Sequence, residues 1–137
     1  MSYLLDTNVL SELARSKKNA GVLDWLAATR GSEHYISVLT MGELLRGVTK
    51  LRHHGEQNRA AAIEQFVLET ERRFASRILG IGHDVVRVWA AQSPMQPLPV
   101  VDGLIAATAA VHGWTVVTRN VEDFERSGVP VLNPFTP

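Results

Sequence analysis

Short apolar runs alternate along this chain with stretches in which apolar side chains return every three or four positions. The first pattern is strand-like and the second helical, because side chains alternate across a strand but revisit one face of a helix. Residues 2–5 predict a strand, followed by a helix near 8–15 with Val9, Leu10 and Leu13 on one face. The polar stretch 16–19 breaks it, and 22–28 predicts a second helix facing inward through Val22, Leu23, Trp25 and Leu26. Residues 34–39 alternate like a strand, and Thr40 then opens a helix to about Leu51. A long helix over 57–74 turns Ile63, Phe66 and Val67 inward, with its charges outward. Residues 78–81 predict a strand, and 84–92 a helix with Val85, Val88 and Trp89 inward. Three prolines within 93–99 require a loop, since proline interrupts helical hydrogen bonding. Residues 100–112 are helical with Gly113 placed to stop them, 115–118 a strand, 121–126 a short helix and 129–132 a last strand.

Strands separated by helices predict an α/β fold with a central, mostly parallel sheet and helices on both faces. With 137 residues, 45% of them hydrophobic, the chain suits a single domain spanning 1–137 and leaves little room for two. Fourteen basic and fourteen acidic residues cancel, so bulk charge argues for neither nucleic acid nor membrane, although a local basic surface remains compatible with neutrality. The absence of cysteine removes disulfides, thiol catalysis and Cys-ligated zinc. No leader or membrane span is expected, which fits a cytoplasmic protein.

The placement of four acids adds chemistry to this outline. Asp6, Glu43, Asp102 and Asp123 each lie at the edge of an apolar or small-residue run. Each has a purely structural reading. Asp6 could cap the first helix, and Glu43 lies at capping-box spacing from Thr40. Asp102 would favour the positive end of its helix dipole, and Asp123 could close a cap with Asn120. Ser, Thr or Asn would cap as well, yet all four positions carry carboxylates. Asp6 and Asp123 both follow strands, and ligands of open α/β sheets bind beyond the carboxyl ends of strands. Carboxylates brought together repel one another unless a cation intervenes, and a hard divalent ion with oxygen ligands relieves that repulsion.

Four segments carry a family resemblance. Leu4-Leu5-Asp6-Thr7-Asn8-Val9-Leu10-Ser11-Glu12, Gly42-Glu43-Leu44-Leu45-Arg46-Gly47, Asp102-Gly103-Leu104-Ile105-Ala106-Ala107-Thr108-Ala109 and Thr118-Arg119-Asn120-Val121-Glu122-Asp123-Phe124 resemble, in order, the motifs of PIN-domain proteins. The resemblance covers essentially the whole chain and is closest to the VapC/FitB-like toxins of bacterial toxin–antitoxin pairs. One departure is Pro94-Met95-Gln96-Pro97, where members often carry a glycine-containing loop. The resemblance implies a PIN-like fold and a metal-dependent endoribonuclease. It implies that Asp6, Asp102 and Asp123 hold Mg²⁺ or Mn²⁺ and that Glu43 completes the catalytic acids. It also implies an RNA substrate, a small cognate antitoxin that blocks the site, and a homodimer.

Arg46 and Arg119 are the basic residues placed to meet an RNA phosphate near these acids, while Lys50 and Arg59 read as a solvated helix face. Asn8 and Thr118 are candidates to orient carboxylates, waters or substrate. Gly47 reads either as a point of close backbone approach or as a tolerated helix glycine costing about 1 kcal/mol. The five histidines form no metal motif. Apolar residues among Leu10, Leu13, Val22 and Trp25, or along 44–51, are candidates for partner surfaces or for core. A phosphorylation receiver domain would need an acidic pair after the first strand and a lysine after a late one, and both are missing here. The remaining alternative is a catalytically inactive PIN-like module that binds nucleic acid or a partner.

Overall fold

The computed structural model describes residues 1–137. Its strands are β1 (Tyr3–Leu5), β2 (His34–Ser37), β3 (Ile78–Leu79), β4 (Thr115–Val117) and β5 (Val131–Leu132). The helices are α1 (Thr7–Leu13), α2 (Ala20–Ala28), α3 (Val38–His53), α4 (Gln57–Phe74), α5 (His83–Ala90), α6 (Val100–His112) and α7 (Val121–Glu125). All strand pairs are parallel, in the order β3-β2-β1-β4-β5. No helix is long and apolar enough to cross a membrane.

The two-residue period of β1 and β4 assigns their side chains to two cores. Leu5 and Val117 join Val9, Leu10, Val22, Met41, Leu44, Val67 and Phe74 from α1–α4. Leu4 and Val116 join Ile105, Ala106, Ala109 and Phe124 from α6 and α7 on the other face. Leu4, Leu5, Val116 and Val117 are fully buried, so a one-residue slip of either strand would exchange its two cores. Truncating one such leucine to alanine costs about 2–5 kcal/mol, which fixes the register firmly.

That register positions the site. The chain runs outward from β1 through β2 to β3, then returns to the other flank of β1 as β4 and β5. The order therefore reverses between β1 and β4, the point beyond whose carboxyl strand ends open α/β sheets bind their ligands. Leu5 is paired with Val117, and Asp6 N donates to Val117 O at 2.9 Å. The next residues on the two strands, Asp6 and Thr118, are thus neighbours at the carboxyl edge of the sheet.

Several expected boundaries move. The strand expected over 34–39 ends at Ser37, whose hydroxyl accepts from Leu39 N at 3.0 Å and caps α3. Helix α3 therefore begins at Val38, Thr40 is fully buried inside it, and the Thr40–Glu43 capping box does not form. Val88 on α5 is 37% exposed, so the inward face of that helix is narrower than its apolar pattern suggests. Gly113 does end α6, in the left-handed conformation at φ 71°.

Candidate functional site

Asp6 is the most constrained of the four acids. It is only 5% exposed, and both carboxylate oxygens are engaged. Oδ1 accepts from Thr7 N at 2.8 Å. Oδ2 accepts from Thr118 Oγ1 at 2.8 Å and from Asn8 Nδ2 at 3.2 Å. Although Asp6 occupies the N-cap of α1, it bonds only its immediate neighbour rather than the second or third helical N–H that a capping side chain prefers. Burial pushes its pKa up; the Thr118 hydroxyl and the Thr7 N–H pull it down, and the charge of Glu43 pushes it up again. The network is arranged to hold a carboxylate in one orientation. A plain cap would not need Thr118, which lies 112 residues away in sequence.

Thr7 links Asp6 to Glu43. Its N–H reaches Asp6, while its hydroxyl donates to Glu43 Oε1 at 2.5 Å and lies 3.3 Å from Thr40 Oγ1. Glu43 is exposed on α3. Asp102, the third residue of α6, is half-buried. Its pKa is pushed up to about 6, chiefly by burial and then by the charges of Asp6, Glu43 and Asp123 in that order. Acids at the N-cap of α1 and on α3, α6 and α7 thus act on one another electrostatically beyond the carboxyl edge of the sheet.

Asp123 is arranged differently. Its Oδ2 accepts from Asn120 Nδ2 at 2.8 Å, and its Oδ1 accepts from Arg126 at 2.6 Å. A shallow depression of about 500 Å³ beside it is lined by Glu122, Asp123, Glu125 and Arg126 and by none of the other three acids. No three Asp, Glu or His side chains are gathered tightly enough to cage a metal ion directly. The expected ligand set of Asp6, Asp102 and Asp123 is therefore not closed in this conformation. Asp123 is instead engaged locally, by Asn120 and by its ion pair with Arg126. The donors still fit a hard cation. They offer oxygen alone, no cation pairs with Asp6, Glu43 or Asp102, and Mg²⁺ commonly takes one or two carboxylates while keeping several waters.

Thr118 is fully buried and Asn8 partly so; both hold Asp6 instead of reaching outward to substrate. Asn8 Nδ2 also donates to Thr118 Oγ1 at 3.1 Å, and Asn8 Oδ1 accepts from Arg119 N at 3.2 Å. Arg46 and Arg119 are exposed. Gly47 has open space where a Cβ would stand, so it is a tolerated helix glycine and allows no special approach. Leu10, Val22, Leu44 and Val48 are core residues, which removes them as partner surfaces. Two features escaped sequence reasoning. Glu12 is 5% exposed and accepts from Asn19 N at 2.8 Å, tying α1 to the start of α2. Gln92 Nε2 donates to Gly103 O at 2.7 Å beside Asp102, in space that a Cβ on Gly103 would fill. Glu12 did carry a sequence signal, as a charge one position before the inward-facing Leu13.

Comparison with known proteins places this geometry. The family model for the PIN domain matches residues 3–129. VapC ribonuclease Y4jK of Sinorhizobium fredii is 35% identical, covering 98% of this chain and 98% of its own length. The crystal structure of FitAcB from Neisseria gonorrhoeae has a TM-score of 0.86 at 33% identity, over 96% of this chain and 97% of that one. A toxin–antitoxin complex from Klebsiella pneumoniae has a TM-score of 0.67 at 29% identity, over 99% of this chain and 100% of that one.

Proposed function

This chain belongs to the PIN-domain family as a VapC-type ribonuclease toxin of a toxin–antitoxin system, and we propose that Asp6, Glu43, Asp102 and Asp123 are its endoribonuclease site. The observation that carries this assignment is the bridge by which Thr7 donates its N–H to buried Asp6 and its hydroxyl to Glu43, with Asp102 near enough for both charges to push its pKa up. Acids held in one another's field are costly to the apo protein and useful to a cation site.

In this reading Asp6 and Asp102 would hold the principal Mg²⁺ or Mn²⁺ ion, with Asp123 and Glu43 as the further acids of the site. When bound, the cation supplies a lowered pKa for a coordinated water and charge stabilisation for the scissile phosphate. The protein's own residues perform the remaining tasks. Thr118, Asn8 and the Thr7 N–H keep the Asp6 carboxylate oriented, so little reorganisation is needed on binding. Glu43 has Oε1 satisfied by Thr7 and is exposed, so its other oxygen is placed to take a proton from the attacking water. Water oxygen bonds to phosphorus, the P–O3′ bond breaks, and the leaving oxygen takes up a proton, giving 5′-phosphate and 3′-hydroxyl ends. Arg46 and Arg119 contact phosphates and position the strand.

A toxin of this kind needs restraint in its own cell, and the Klebsiella neighbour is a toxin–antitoxin complex. A small cognate antitoxin is therefore the proposed partner, and a homodimer the proposed assembly. Exposed Leu45, Val86, Met95 and Val100 are among the apolar side chains available to such interfaces. The proposed location is the cytoplasm, where cellular RNA is available as substrate. Expression in a bacterial host tests the biological part of this reading. The wild type should arrest growth, Asp102→Asn at matched soluble level should not, and a neighbouring small protein should relieve the arrest. Equal arrest by wild type and Asp102→Asn would overturn it.

A further inference from the structure

The last residues of the chain fold back over the start of α2 and are pinned there. Asn19, the N-cap of α2, accepts from Val22 N at 3.2 Å and from Thr136 N at 3.1 Å, and its Nδ2 donates to Thr136 O at 2.9 Å. Gly21 N donates to Thr136 Oγ1 at 3.3 Å. A Cβ on Gly21 would stand 2.5 Å from Pro134 O and 2.7 Å from Thr136 N, so the tail lies flush against the start of α2 only because residue 21 has no side chain. Buried Glu12 holds Asn19 from below through its N–H. The tail is therefore latched on one side by β5 and on the other by Asn19. Between these points Phe135 places its ring 3.9 Å from the Arg119 guanidinium.

Arg119 directly follows Thr118, the residue that holds Asp6, and its backbone N–H is tied to Asn8. Its guanidinium takes part in no ion pair or hydrogen bond within the chain. One face is stacked on an aromatic ring, which leaves the edge with its five N–H donors free. That is the edge that matches a phosphate. We propose that Phe135 is a positioning residue for RNA binding: the latched tail stacks its ring under Arg119 and presents the guanidinium edge to a phosphate beside Asp6. The proposal rests on the ribonuclease reading above. A pre-stacked arginine loses less freedom on binding than one waving in solvent, and the cation–π contact retains it without consuming a donor.

Steady-state cleavage of a labelled single-stranded RNA by the Mg²⁺-loaded protein tests this with Phe135→Leu, Phe135→Trp, Arg119→Ala and the double variant Phe135→Leu/Arg119→Ala. Phe135→Leu keeps apolar bulk against the core but loses the ring face. It should raise KM roughly three- to tenfold at unchanged kcat. It should also reduce the salt slope of RNA binding by about 0.7, the share of one phosphate contact on a single strand. Phe135→Trp should restore both. Phe135→Leu should add nothing once Arg119 is alanine, and Gly21→Ala, which pushes the tail off α2, should reproduce the KM effect. An unchanged KM in Phe135→Leu, with or without a lower melting temperature, would overturn the proposal. So would a fall in kcat alone, or effects of Phe135→Leu and Arg119→Ala that simply add. Absence of cleavage by the wild type would instead strike the underlying ribonuclease assignment.

Discussion

Replacing Asp102 by asparagine should stabilise the metal-free protein above pH 6 and lose that benefit in acid. In the folded chain burial and the charges of Asp6, Glu43 and Asp123 push this carboxyl from 3.8 up to about 6. Between those values the folded state binds more protons than the unfolded one. Stability therefore falls as pH rises through that window, and the whole penalty is present above it. At full strength the displacement converts to about 3 kcal/mol. The side chain is only partly buried, so screening by water reduces the expected effect to about 1 kcal/mol. For a chain of this size that is about 3–5 °C in melting temperature. Thermal melts of wild type and Asp102→Asn in EDTA, at pH 8 and near pH 4, read it directly. The variant should melt higher at pH 8, and the two should converge near pH 4. Added Mg²⁺ should reverse the order at pH 8, because at about a hundred times its Kd the ion stabilises a competent site by about 2.7 kcal/mol. A variant less stable than wild type at pH 8 in EDTA, by the 0.3–1 kcal/mol of a lost helix-dipole contact, would refute the reasoning and make Asp102 a helix-start residue.

Three further outcomes follow from the same geometry. Thr118→Val removes the 2.8 Å bond to Asp6 Oδ2 and should cost about 1–3 kcal/mol in urea denaturation while lowering kcat; unchanged stability would show that this bond does not hold Asp6. Arg126→Ala frees Asp123 Oδ1 and should tighten Mg²⁺ or Mn²⁺ binding severalfold by calorimetry, whereas unchanged affinity would place Asp123 outside the ion's reach. Arg46→Ala should raise KM for RNA at constant kcat and lower the salt slope by about 0.7; a salt slope equal to that of wild type would leave Arg46 on a solvated face.

Much of the fold was legible because the two periodicities are clean. Leu4-Leu5 and Val116-Val117 alternate between cores, and α4 spans the expected Gln57–Phe74. Boundaries moved where a local side-chain bond competed with the pattern. Ser37 captured Leu39 N and started α3 early, an outcome that hydrophobic spacing does not encode. The acids were visible because carboxylates beside apolar runs are uncommon. Their partners were harder to read. Thr118 and Asn8 read equally as strand-end residues and as groups that orient a carboxylate, and the Leu5–Val117 pairing decides for the second by putting them around Asp6. Phe135, a single aromatic between Pro134 and Thr136, shows its stacking on Arg119 only once the tail has folded back onto α2. The openness of the acid set also lay beyond sequence, since Asp123 is held by Asn120 and Arg126 on its own short helix.

The central assignment is most directly tested by incubating a mixed RNA pool with purified wild type and Asp102→Asn, in EDTA and then across a Mg²⁺ titration. Wild type should be silent in EDTA and recover cleavage with Mg²⁺, leaving 5′-phosphate ends, while Asp102→Asn stays silent at limiting Mg²⁺. Cleavage undiminished by EDTA, or full activity of Asp102→Asn at limiting Mg²⁺, would contradict a metal-dependent site built on these four acids.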